Sequence, residues 1–113
     1  LNLPPVLAPV KVAVLPLLKK DGLPEKAMEI MNDLKFDYKC AYEEKDTIGK
    51  RYRRQDAIGT PFCVTVDHQT LTDGTVTLRH RDSMQQDRVK IEDLHGIIGE
   101  AVNMRNLFKK IVD

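Results

Sequence analysis

Two cysteines, a single serine and three histidines are all that this 113-residue chain offers to nucleophilic and metal chemistry. Cys40 and Cys63 are far apart and lack histidine partners, so they make no zinc pattern. They fit better as small apolar thiols inside two strands of a protein kept in a reducing cytoplasm. His68, His80 and His95 are scattered without ligand spacing, and nothing pairs Ser83 with a base and an acid as a nucleophile requires. The turn from Leu17 to Pro24 holds only Gly22, which excludes a dinucleotide fingerprint, and no Gly-Lys-Ser/Thr run is present to cradle phosphates. No apolar run reaches the roughly 18–20 residues that span a bilayer. The longest, Val12 to Leu18, is interrupted by Pro16 and followed by Lys19 and Lys20, and reads as a buried strand. The N-terminus lacks the basic and apolar regions of a secretory or transit signal, and a start at Leu1 rather than Met implies a piece of something larger.

What is present is an ordinary globular composition. An apolar fraction of 42% and a charged fraction of 31% suit one folded domain rather than a disordered chain. The net charge of +1 hides segregation. Lys50, Arg51, Arg53 and Arg54 fall in one short stretch, and Arg79, Arg81, Arg88 and Lys90 in another. Acidic residues gather at Glu43, Glu44 and Asp46 and again at Glu92 and Asp93. The pattern gives a basic face rather than a basic protein.

Pro4, Pro5 and Pro9 mark residues 1–9 as an extended linker, with the domain proper at residues 10–113. Lys11 to Leu17 reads as a strand buried on both faces. Asp21 to Phe36 reads as a helix, with Asp21 as cap, Pro24 in its first turn, and Leu23, Ala27, Ile30 and Leu34 facing the core. A short strand, Tyr38 to Tyr42, follows. Thr47 to Ile58 reads as a second helix, capped by Asp46 or Thr47 and stopped by Gly59. Its phase places Ile48, Tyr52, Gln55 and Ile58 inward, Lys50, Arg53 and Arg54 outward, and Arg51 at the boundary. Phe62 to Val66 reads as a third strand, Asp67 to Gly74 as a connection with Asp73-Gly74 as its turn, and Thr75 to Arg81 as a fourth strand. Alternation there turns Val76, Leu78 and His80 one way and Thr77, Arg79 and Arg81 the other. Gln86 to Ile91 reads as a fifth, short strand, with helix as the rival reading, and a last helix from about Glu92 to Phe108 completes the series. The fold class is α/β, a mixed sheet of about five strands packed with three helices. No repeat or low-complexity tract is present.

Without a catalytic constellation, the basic stretches carry the functional reading. Lys50, Arg51, Arg53 and Arg54 are either the solvated side of a helix or a set of contacts to a nucleic-acid backbone. Arg79, Arg81 and Asp82 are either a cross-strand ion-pair ladder or a reader of base edges. Arginine presents a planar donor fork, and an adjacent aspartate can accept from a cytosine amino group. An open sheet face suits single-stranded RNA, whose unpaired bases expose those edges. Tyr52 and Phe62 are expected inside, which leaves few aromatic platforms for indiscriminate strand binding.

Four runs carry a resemblance: Leu7–Leu17 (LAPVKVAVLPL), Ile48–Gly59 (IGKRYRRQDAIG), Pro61–Asp67 (PFCVTVD) and Asp73–Val89 (DGTVTLRHRDSMQQDRV). The chain resembles the C-terminal anticodon-binding domain of glycyl-tRNA synthetases, of the homodimeric type related to the eukaryotic enzyme. The first run is shared with the histidyl, prolyl and threonyl enzymes; the second and fourth together are specific to the glycyl family. The resemblance implies a class IIa anticodon-binding fold without catalysis or cofactor of its own. It implies an upstream catalytic domain, missing here, that uses ATP and Mg to join glycine to its tRNA, in a cytoplasmic, membrane-free homodimer. The partner of this domain would be the anticodon stem-loop of glycine tRNA, whose second and third anticodon bases are cytosines. On that basis Arg79, Arg81, Asp82 and Gln86 are expected to read bases, and Lys50, Arg51, Arg53 and Arg54 to contact the RNA backbone. His80 departs from the acidic residue expected between the two arginines. The alternatives are a domain like the accessory subunit of mitochondrial DNA polymerase, which shares the fold, and a protein-binding regulatory module.

Overall fold

A computed structural model of the chain describes residues 10–101. The linker expected at residues 1–9 and the end of the last predicted helix lie outside the described residues. The elements run β1 (Val12–Pro16), α1 (Leu23–Leu34), β2 (Cys40–Tyr42), α2 (Ile48–Ile58), β3 (Phe62–Val66), α3 (His68–Asp73), β4 (Thr75–His80) and β5 (Gln86–Lys90). A 3₁₀ turn, Ile91–Asp93, leads into helix at residues 94–101.

The sheet has the order β2-β1-β3-β4-β5. β1 is parallel to both β2 and β3, whereas β3–β4 and β4–β5 are antiparallel. The expected mixed five-stranded sheet is therefore present. β1 and β3 are buried at every position, as their unbroken apolarity requires of strands covered on both faces.

Strand alternation divides the core in two. On one face Val12, Val14, Phe62, Val64, Val66, Val76 and Leu78 pack against Leu23, Ala27, Ile30 and Leu34 of α1 and against Leu94 and Ile98. On the other, Ala13, Leu15 and Cys63 meet Ile48 and Tyr52 of α2. Helix α2 thus covers β1 and β3. Arg79 at the end of β4 and Gln86 opposite it on β5 share this second face, as do the paired positions Thr77 and Arg88.

Local signals explain the helix ends, with two corrections. The N-cap of α1 is Gly22 at φ 79°, without a side-chain cap; the predicted cap Asp21 instead holds His68 at 2.9 Å. The segment Asp67–Gly74 is more than a connection. Asp67 and Thr70 form a reciprocal capping box that starts α3, and Gly74 at φ 70° ends it. As expected, Thr47 caps α2 and Gly59 at φ 83° stops it. On α2 Gln55 is buried as expected, but Arg51, expected at the boundary, is buried as well, and Ile58, expected inward, is exposed.

Candidate nucleic-acid interface

The two arginines flanking His80 have different surroundings. Arg79 lies beneath α2, only 7% exposed. Its Nη1 and Nη2 donate to the two carboxylate oxygens of Asp56 at 2.8 and 3.1 Å, and its guanidinium carbon stands 4.8 Å from the centre of the Tyr52 ring. This bidentate pair over an aromatic face is arginine's strongest mode of anchoring. The Asp56 hydrogen bonds, opposed by burial, hold the guanidinium more firmly protonated than usual. The base-reading role expected of Arg79 is corrected: its donors are committed to Asp56, and the open sheet face expected around it is roofed by the helix.

Arg81 lies beyond the strand, at the mouth of the β4–β5 hairpin. Its amide donates to the Pro61 carbonyl at 2.9 Å and its Nε to the Asp56 carbonyl at 3.0 Å. Nη1 stands 4.0 Å from Asp82, and both side chains are largely open to solvent. His80 N–H to the Gln85 carbonyl, 2.8 Å, closes the hairpin, and Met84 turns it at φ 59° with its side chain exposed. Gln86 is exposed on β5. Arg81, Asp82 and Gln86 thus remain at the surface. Arg81, Asp82 and Ser83 also line a cleft of about 200 Å³ with Pro61, Phe62, His80 and Ala101. His80 faces the Phe62 ring edge-on and stands 3.5 Å from Asp87, the core-side orientation its alternation predicts.

The cluster on α2 also divides. Lys50 and Arg53 are exposed, with no carboxylate within ion-pair distance among the described residues. Arg54 is taken up by Glu43 and by Asp46 at 2.8 Å. Arg51 is 2% exposed and structural: it donates to the carbonyls of Pro16, Leu17 and Glu43, tying α2 to the ends of β1 and β2. Burial makes its cation easier to deprotonate than usual. An RNA-backbone contact by Arg51 is therefore corrected to an internal strut.

Sequence reasoning missed Asp56, although a signal existed. With Tyr52 inward, Asp56 one helical turn later belongs to the same side and is placed to meet a strand cation. The same reasoning placed Arg88 in the second basic cluster but missed its partner: the guanidinium grips Asp67 at 2.6 and 2.8 Å and bonds Thr75 and Thr77. Those bonds, and Thr70 behind them, hold the Asp67 carboxyl down at about 2. The three histidines sit at the surface or the core edge, and no group of residues suited to a metal is present among the described residues. Cys40 and Cys63 are free, and burial pushes the Cys63 thiol up to about 12. No helix among the described residues is long and apolar enough to cross a membrane.

Comparison with known proteins sets this surface in context. Residues 11–101 match the family model of an anticodon binding domain. The chain is 60% identical over 90 residues to a glycine–tRNA ligase of Treponema denticola, covering 80% of this chain and 20% of that protein. It is 55% identical over 98 residues to that of Borrelia hermsii, covering 87% and 22%. With that of Clostridium perfringens the figures are 56% over 102 residues, 90% and 21%. The chain spans about a fifth of the length of these relatives. Its fold is similar to that of prolyl-tRNA synthetase from Cryptosporidium parvum (TM-score 0.78, 24% identity, 96% of this chain and 24% of that one). It is also similar to the RNA binding domain of threonyl-tRNA synthetase from Cryptosporidium parvum Iowa II (TM-score 0.74, 22% identity, 87% and 25%).

Proposed function

Because this chain belongs to the anticodon-binding-domain family, we propose that it is the anticodon-reading module of a glycine–tRNA ligase, and that Arg81, Asp82 and Gln86 contact unpaired anticodon bases. The observation that carries the reading is the exposed Arg81–Asp82 pair at the hairpin mouth, held in place through the amide and Nε of Arg81. A cytosine edge offers an amino donor beside ring-nitrogen and carbonyl acceptors. The Asp82 carboxylate can accept from the amino group while the Nη groups of Arg81 donate to the acceptors. Lys50 and Arg53 fit phosphate contacts, which add affinity without sequence preference.

For the rest of the parent, the relatives' names support a glycine–tRNA ligase, and the glycyl-type runs at Ile48–Gly59 and Asp73–Val89 support the finer reading. It would be a ligase of the homodimeric type related to the eukaryotic enzyme, working in the cytoplasm. A separate domain of the same chain would bind ATP and Mg and join glycine to tRNA. Neither the polymerase-accessory reading nor the regulatory-module reading has a specific observation in its favour.

The test is a titration of labelled glycine tRNA with the chain at several salt concentrations, beside tRNAs whose anticodon cytosines are replaced. Tighter binding of the cytosine-bearing tRNA is expected, and Arg81→Ala and Asp82→Ala should each reduce that preference by roughly 1–3 kcal/mol. Binding indifferent to the anticodon, in wild type and variants alike, would leave only general electrostatics and refute the reading.

A further inference from the structure

A single acidic residue on α2 holds both arginines that flank His80. The Asp56 carboxylate takes both Nη groups of Arg79, and its backbone carbonyl takes Nε of Arg81. The two arginines are two positions apart in the chain yet meet the same helical turn. Arg79 in turn carries the hairpin tip: its Nη2 also contacts Met84 Sδ at 3.4 Å, and Met84 is the residue held at φ 59°. Tyr52 backs the Arg79 guanidinium and bonds Thr65 of β3, so the plinth is fixed to the sheet as well as to the helix. Asp56 itself retains partial exposure, with 27% of its side chain open against 8% for Arg79.

This arrangement has a consequence for Arg81. A guanidinium is planar, so fixing Nε fixes the direction of both Nη groups. With Nε on the Asp56 carbonyl, the fork is aimed before any ligand arrives, and its rotamer freedom is already spent. We infer that Asp56 is the positioning residue of the anticodon-reading hairpin: through the Arg79 plinth it sets the height and angle of Arg81 and Asp82, and so the discrimination between anticodons, without touching RNA. This deepens the proposed function and rests on it. It separates Asp56 from Lys50 and Arg53 on the same helix, whose loss would weaken all tRNAs alike.

A merely structural pair would affect stability alone, so the test replaces the pair without leaving a buried charge. The chain carrying Asp56→Leu together with Arg79→Met exchanges the ion pair for apolar contact, a change that commonly leaves stability intact. Asp56→Asn is the single-site companion. Three quantities are read: the thermal midpoint, amide exchange of His80 and Arg81, and the affinity ratio between glycine tRNA and its anticodon-substituted form. The expected result for the double variant is a midpoint near wild type, with His80 and Arg81 amide exchange, taken relative to that of β1, at least about tenfold faster than in wild type. The affinity ratio should fall at least about threefold, at an unchanged salt slope. Wild-type exchange or a wild-type ratio in the folded double variant would overturn the inference, while Arg81→Ala still lowering the ratio would leave the proposed function standing. If Asp56→Asn lowers the midpoint while exchange relative to β1 is unaltered, the residue is structural and the inference is also overturned. An Arg81→Ala ratio equal to wild type, or no tRNA binding at all, would remove the proposed function and this inference with it.

Discussion

Arg51→Met is the sharpest probe of how α2 is attached, because it asks whether a buried cation serves the fold or the ligand. The methionine keeps most of the side chain's length and volume but withdraws every donor. Three carbonyls, those of Pro16, Leu17 and Glu43, then lose their partner, the first in a buried and the other two in a part-buried setting. At about 1 kcal/mol or slightly more for each, the loss is about 3–4 kcal/mol. Two effects act in the other direction: the desolvation of the cation disappears, and so does the unpartnered Nε–H. The net expectation is a destabilisation of about 2–3 kcal/mol, a large share of the roughly 5–15 kcal/mol that holds a domain together. Arg51→Lys, which can still donate to one or two of the carbonyls, should fall between. Urea unfolding followed by circular dichroism measures this directly. With a slope of about 1–2 kcal/mol/M, the midpoint should drop by about 1–3 M for methionine. A midpoint within about 0.3 M of wild type, combined with weakened tRNA binding at low denaturant, would refute the strut and return Arg51 to the RNA-facing surface.

Two further outcomes test the charge assignments. Asp67 has its carboxyl lowered from 3.8 to about 2, first by its hydrogen bonds to Arg88. A depressed folded value means stability that is complete above the unfolded value and disappears as pH falls from about 4 through about 2, worth at most about 2 kcal/mol. Arg88→Ala should therefore cost about 1–2 kcal/mol in urea unfolding at pH 7, and the deficit should shrink markedly near pH 2; a deficit independent of pH would show that the Thr75 and Thr77 bonds, not the ion pair, carry it. Lys50→Ala with Arg53→Ala should weaken glycine tRNA and anticodon-substituted tRNA by the same factor and flatten the salt dependence by up to about two units of slope; a selective loss for one tRNA would place these residues at bases rather than phosphates.

The backbone plan was legible in the sequence because its signals are local. β3 begins and ends at the expected residues, and the four apolar residues of α1 at helical spacing are the four that are buried. The interface is harder to read because charge alone does not mark exposure: Arg51 and Arg79 are both buried. Arg51 finds its carbonyls 34 and 35 positions earlier in the chain, and carbonyls have no side-chain signature to search for. Strand alternation correctly turned Arg79 away from the Val76–Leu78 core. What alternation cannot supply is the reach of α2 across the sheet, and that reach converts an outward arginine into a buried one. The α3 segment escaped notice because six polar-rich residues contain too few turns for a periodicity, and its capping box uses threonine where glutamate or glutamine is usual.

The strand order also determines how these molecules behave toward one another. Among the described residues, both rims of the sheet carry backbone groups with no neighbouring strand, which in any concentrated solution invite a second copy to pair. One rim, β2, is only three residues long. The other, β5, reads Gln-Asp-Arg-Val-Lys, with charge at three of its five positions. A newcomer strand would have to desolvate those charges to add itself, so the polar character of β5 works against pairing through this edge.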